Sequence, residues 1–164
     1  MRKKSKYKPK PIRVDTLSYV KSGMLKVSQV PNAGVNLLLR NHESFDEILK
    51  GEPTKAHVDD LVQSLNITEI LAHDFKIGHD WLPEIFDAQD ALYRMAQRGI
   101  SGKSFRFTGE EIKLIQVALS VHDEQLKVCD VRTMEKALDM LLTAYQNKQA
   151  RVIVPLQAAN EEKA

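Results

Sequence analysis

The chain has 164 residues, the size of one ordinary domain, and its 43% hydrophobic and 28% charged residues are typical of a globular protein rather than a disordered one. Its single cysteine, Cys129, excludes an internal disulfide and a cysteine-rich metal site, and suits a reducing compartment such as the bacterial cytoplasm. No apolar run is long enough to span a membrane or to act as a secretory signal, so we expect a cytoplasmic protein with no membrane partner.

The first predicted element is a basic arm over residues 1–13. It carries seven Lys or Arg residues and no acid, whereas the rest of the chain has 17 basic and 22 acidic residues and a net charge of −5. Like charges repel and two prolines favour extended backbone, so the arm is not expected to fold alone. Cations that neutralise phosphates, with a tyrosine that can stack on a base, predict binding of nucleic acid or another polyanion. The predicted binding residues are Arg2, Lys3, Lys4, Lys6, Tyr7, Lys8, Lys10 and Arg13. The alternatives are a solubility tail or an arm that rests on an acidic protein surface.

A helical domain is predicted over residues 14–150. In its first part, residues 14–32, a glycine and a proline interrupt the apolar residues, so we expect a short strand or a packed extended segment there. Residues 151–164 form the predicted C-terminal tail, which begins with a small potential strand, RVIV.

Five helices are predicted after residue 32, because apolar residues recur there at spacings of three and four. Between the third and fourth, Phe105 and Phe107 flank Arg106, which permits a short strand. The predicted fold is therefore a mainly α, compact bundle of about five helices with an extended basic arm and one or two very short strands. The predicted boundary residues are Asn32 and Gly51 for the first helix, Thr54 and Gly78 for the second, Asp80 or Trp81 and Gly99 for the third, Thr108 for the fourth and Asp130 for the fifth.

Four stretches carry a resemblance to a known group of proteins. They are KYKPKPIR at 6–13, RNHESFDEILKGEPT at 40–54, Gly-His-Asp at 78–80 and FTGEEIKLIQVALSVHDEQL at 107–126. The chain resembles small helical proteins of proteobacterial phages, prophages and plasmids, for which no activity is established. The resemblance implies a bacterial cytoplasm and an accessory role in a mobile element, and transfers no catalytic residue.

Histidine–aspartate pairs raise the question of a metal site. Three occur, His73-Asp74, His79-Asp80 and His122-Asp123, with His57 upstream. Metal phosphohydrolases of the His-Asp type are also helical and hold a divalent metal with such residues. Since His and Asp are common at helix ends, and His122 lies beside a core stripe, capping and core packing are the favoured interpretations. We predict neither a metal nor another cofactor.

Two further chemistries have weaker support in the sequence. Asp130 is expected to raise the pKa of the neighbouring Cys129 thiol, which argues against a nucleophile. The short turn before residue 131 permits a helix-turn-helix in which Arg132 and Lys136 approach DNA, but acidic neighbours on the same helix oppose phosphate approach.

The leading hypothesis is a non-enzymatic binding protein whose arm engages nucleic acid or another polyanion. The alternative is a protein–protein regulator or inhibitor of a host or defence complex, and a His-Asp-type phosphohydrolase comes third. The oligomeric state is left open.

Overall fold

A computed structural model describes residues 22–149, in which α-helix is the dominant element. The prediction of a mainly α bundle of about five helices is confirmed for this part of the chain. The basic arm and the C-terminal tail lie outside the described residues. The helices are α1 (Ala33–Lys50), α2 (Lys55–His73), α3 (Leu82–Ile100), α4 (Gly109–Val128) and α5 (Val131–Gln146).

Capping residues set most helix boundaries where the sequence predicts them. Thr54, Thr108 and Asp130 each accept a hydrogen bond from the backbone N–H three residues later, at 3.4, 3.3 and 2.7 Å. Each bond satisfies one of the N–H groups that the first turn of a helix leaves without an intrahelical partner. At the other end of α1, Gly51 adopts φ 87°, a left-handed conformation that ends the helix at little cost for glycine.

The central element of the bundle is α2, which packs against each of the other four helices. Its residues contribute to two main apolar clusters. One cluster joins α1, α2, α3 and α4, and the other joins α2 and α5 with the end of α4. Fully buried members are mostly aliphatic, as the low aromatic content of the chain requires; they include Ile48, Leu61, Leu65, Leu71, Leu92, Ile115, Leu119 and Leu126.

Of the short strand or packed extended segment expected over residues 14–32, the described residues 22–32 contain no strand, but they pack on the bundle through buried Val27. Residues 22 and 23 are helical, and a single antiparallel bridge between Lys26 and Asp130 and a short 3-10 turn, Val27–Gln29, follow them. The bridge pairs this segment with the two-residue connection between α4 and α5. Because the residues on both sides of that connection are helical, the single bridge cannot extend into a longer ladder of strand pairs. The potential strand in the C-terminal tail lies outside the described residues.

The segment that links α3 to α4 also differs from prediction. Residues 105–107 are irregular rather than a strand, and the Phe107 ring packs 5.8 Å from the ring of Phe45. Gly99 does not end α3, which continues to Ile100. Its role is steric, because a Cβ at Gly99 would overlap the ring of Phe105. The aromatic residues therefore close the bundle end, and a helical glycine makes room for them.

Candidate functional site

The predicted polyanion-binding residues, Arg2 to Arg13, lie outside the described residues. The other candidates of the sequence lie within residues 22–149, where their surroundings distinguish structural from functional roles.

The histidines are dispersed through the bundle. His57 serves the N-terminus of α2, where its Nδ1 accepts the Thr54 N–H at 3.1 Å. His73 Nδ1 lies 3.2 Å from the carboxylate of Asp74, and His79 Nδ1 lies 3.2 Å from a backbone carbonyl. Over residues 22–149, no three His, Cys, Asp or Glu side chains are grouped so as to hold a metal ion.

His122 is a core residue with only 3% of its surface exposed. Thr68 Oγ1 donates to the carbonyl of Ser64 at 2.7 Å and therefore accepts from His122 Nδ1 at 2.9 Å. This arrangement selects the neutral tautomer protonated at Nδ1. Burial lowers the pKa of His122 to about 4, with Asp123 acting in the opposite direction. The geometry agrees with the core-packing interpretation.

The N-terminus of α5 contacts the segment that precedes α1. The backbone N–H of Val131 donates to the carbonyl of Leu25 at 2.8 Å. The Arg132 guanidinium lies beside Gly23, where an added Cβ would be 3.2 Å from Nη2. A recognition helix presents its first turn to the major groove, and here the chain's own segment already contacts that turn, although Arg132 and Lys136 are exposed.

A basic depression lies at the C-terminal end of α3. It has a volume of about 350 Å³ and is lined by Tyr93, Arg94, Gln97, Arg98 and Ser101. Tyr93 is 49% exposed, and the side chain of Arg94 is 55% exposed. Two exposed cations, Lys103 and Arg106, follow in the neighbouring loop.

The Arg98 guanidinium is held by the buried carboxylate of Glu111. Arg98 donates to both carboxylate oxygens, at 2.8 and 2.5 Å, and also to the carbonyl of Arg106 at 2.8 Å. The Thr108 N–H donates a further bond to the carboxylate at 2.9 Å. Hydrogen bonding from Arg98 is the main reason that the pKa of Glu111 falls to about 2, although burial opposes the change. Arg98 is thus a positioning group that fixes the depression. Arg94 makes a longer ion pair with the same carboxylate, with its Nε 3.6 Å from Glu111 Oε1, and keeps 55% of its side chain exposed.

An apolar groove runs along the outer face of α4. It has a volume of about 640 Å³, and exposed Trp81, Val117 and Val128 contribute to its walls. One wall is α4 itself, and the opposite wall is the segment 77–81. That segment is held in place because Gln125 Nε2 donates to the carbonyl of Ile77 at 2.7 Å. Sequence analysis missed this groove, since the residues of its two sides are about 40 positions apart.

Comparison with known proteins finds no matching family model, and neither a curated protein nor a solved structure matches the chain. None of the helices described between residues 22 and 149 is long and apolar enough to cross a membrane.

Proposed function

We propose that this protein is a non-enzymatic binding protein that engages single-stranded nucleic acid through its basic arm. The observation that carries the proposal is the uneven charge along the chain, since seven cations and no acid precede residue 14 of an otherwise acidic protein. Neutralised phosphates release counterions, so such an arm gains affinity without sequence readout. The resemblance to phage and plasmid proteins supports an accessory role in a bacterial mobile element, in the cytoplasm.

The basic depression offers a second contact for the same ligand. Arg94, whose side chain is 55% exposed although it lies 3.6 Å from Glu111, supplies a cation, and half-exposed Tyr93 precedes it on α3. Stacking of a base on an exposed aromatic ring is worth roughly 1–3 kcal/mol and tolerates any base. An exposed aromatic ring favours a single strand, because the rigid backbone of a duplex keeps its bases stacked inside.

Deletion of residues 1–13 tests the proposal. We expect retention on heparin and affinity for a fluorescent single strand at low salt to be lost or greatly weakened. A second variant, with Gln in place of the seven Lys and Arg residues, keeps the arm's length and separates charge from chain length. Affinity of the intact protein should fall with salt, with a logarithmic slope of about −0.7 per phosphate contacted.

The second contact is tested by Tyr93→Ala and Arg94→Gln, with Lys136→Gln on α5 as the control for loss of one exposed cation. We expect the first two substitutions to weaken binding and the control to leave it unchanged. Undiminished binding by the deletion variant would reject the proposal. Capture of a stoichiometric host protein from nuclease-treated lysate, with no nucleic-acid affinity, would favour the regulator instead.

A further inference from the structure

The outer face of α4 carries exposed residues at alternating spacings of three and four. We call this row the α4 seam; it consists of Glu110, Lys113, Val117, Ser120, Glu124 and Lys127. Alternation of three and four is the spacing by which one helix packs along a second helix. The opposite side of α4 packs on α2 and α3, so the seam lies on the outside of the bundle, where it runs along the apolar groove.

The order of charges along the α4 seam is antisymmetric. From its N-terminal end the seam reads acid, base, valine, serine, acid, base. Within the helix Lys127 already pairs with Glu124 at 2.5 Å, and a second helix adds a further partner to each. An identical helix laid alongside in the opposite direction places Glu110 against Lys127 and Lys113 against Glu124. A two-fold axis between Val117 and Ser120 produces each of these pairs twice. A parallel helix in register would instead place every charge against its own copy.

We propose that a second copy of this chain docks on the apolar groove along α4, forming a two-fold symmetric dimer through antiparallel α4 helices. The charged seam pairs select the direction and register of the two helices. At the centre, Val117 lies opposite Ser120, and both are small enough for the helices to approach closely. Trp81 and Val128 flank the contact and lose their solvent exposure of 48% and 53%.

Self-complementarity is the reason to identify the occupant as a second copy. A different protein would need charges complementary to the seam, but it would not require the seam to complement itself. The seam spans 17 residue steps, which is about 26 Å of helix at 1.5 Å per residue. That length gives nearly five turns over which the two helices can pack.

Reversal of single charges tests both the surface and the symmetry. The wild-type protein is expected to have the mass of two chains by light scattering coupled to gel filtration. Lys113→Glu places acid against Glu124, and Glu124→Lys places base against Lys113, so each variant should be monomeric. The double variant Lys113→Glu/Glu124→Lys restores opposite charges and should dimerise again. Lys136→Glu on α5 is the control and should remain dimeric.

Mixing the two single variants provides the sharpest outcome. Each is expected to be monomeric alone, but an equimolar mixture brings two acids against two bases and should form a heterodimer. Far-ultraviolet circular dichroism checks that every variant keeps its helices. A wild-type protein that stays monomeric at every concentration, or a dimer that neither reversal disrupts, would overturn the proposal.

Discussion

Replacement of Glu111 by glutamine tests the ion pair that joins the ends of α3 and α4. The carboxylate has a side-chain exposure of 5% and receives two hydrogen bonds from Arg98 and one from the Thr108 N–H. Glutamine keeps the size of the side chain but offers a single oxygen and no charge. Arg98 then loses its bidentate partner at a position where water replaces it only in part.

The lowered pKa gives both the magnitude and the pH window of the effect. The pKa of Glu111 is about 2 in the folded protein, against an ordinary value of 4.5. That difference corresponds to about 3 kcal/mol by linkage, and partial exposure of Arg98 to solvent reduces it to about 2 kcal/mol. Because the folded-state pKa is depressed, this contribution is complete above pH 4.5 and is lost as the pH falls towards 2.

Urea unfolding followed by far-ultraviolet circular dichroism measures the effect at a series of pH values. We expect Glu111→Gln to lower the free energy of unfolding by about 2 kcal/mol at pH 7, with the difference from wild type shrinking below pH 4.5. Glu43→Gln, at an exposed position on α1, is the matched control and should change little at any pH. A loss at pH 7 no greater than that of the control, or a loss independent of pH, would refute this account of the ion pair.

Three other predictions concern His122, Gly99 and Cys129. Since the pKa of His122 is about 4 when folded, against 6.5 ordinarily, the unfolded chain takes up the proton first and stability falls as the pH drops from about 6.5 to about 4. His122→Gln should abolish this portion of the pH dependence in the same urea assay, and an unchanged slope would contradict it. Gly99→Ala should lower the free energy of unfolding by about 1–2 kcal/mol, since overpacking against Phe105 outweighs the gain in helix propensity. Gly109→Ala, where an added Cβ meets nothing within 4 Å, is its control and should not destabilise the protein. Burial, helped by Asp130, raises the pKa of the Cys129 thiol to about 11, so a thiol reagent at neutral pH should react only after denaturant is added. Fast reaction of the folded protein would show that this thiol is accessible.

The helices could be predicted because their signals are local. Thr54, Thr108 and Asp130 each act on a backbone group three residues away, and Gly51 needs only its own φ. Periodicity and capping therefore located four of these boundaries without any knowledge of packing. Gly99 is the instructive exception, since glycine near a predicted helix end looks like a cap. Its actual constraint comes from Phe105, six residues later, whose ring occupies the space of a side chain.

The candidate surfaces depend on contacts between residues far apart in the chain, which the sequence alone does not reveal. Arg98 and Arg94 lie one turn apart on α3 and look equivalent in the sequence, yet only Arg98 is bound bidentately by Glu111. The residues of the α4 seam and their spacing can be read directly from the sequence. Residues spaced by three and four always share some face of a helix. Only the structure shows that the face carrying this charge order is the one that the bundle leaves exposed.

The two proposals together predict a property that neither gives alone. A dimer carries two basic arms, so a strand long enough to reach both is held at high effective concentration after the first contact, and avidity gains of about 10²-fold or more are ordinary. Lys113→Glu should therefore weaken binding to a long single strand far more than to a short one that only a single arm can occupy. Adding Glu124→Lys to this variant restores dimerisation at the wild-type net charge and should recover the affinity for the long strand. Fluorescence anisotropy with both lengths measures the ratio of affinities directly. An equal loss of affinity for the long and the short strand would mean that the reversed charge repels nucleic acid directly. The two arms would then bind independently of each other, without avidity.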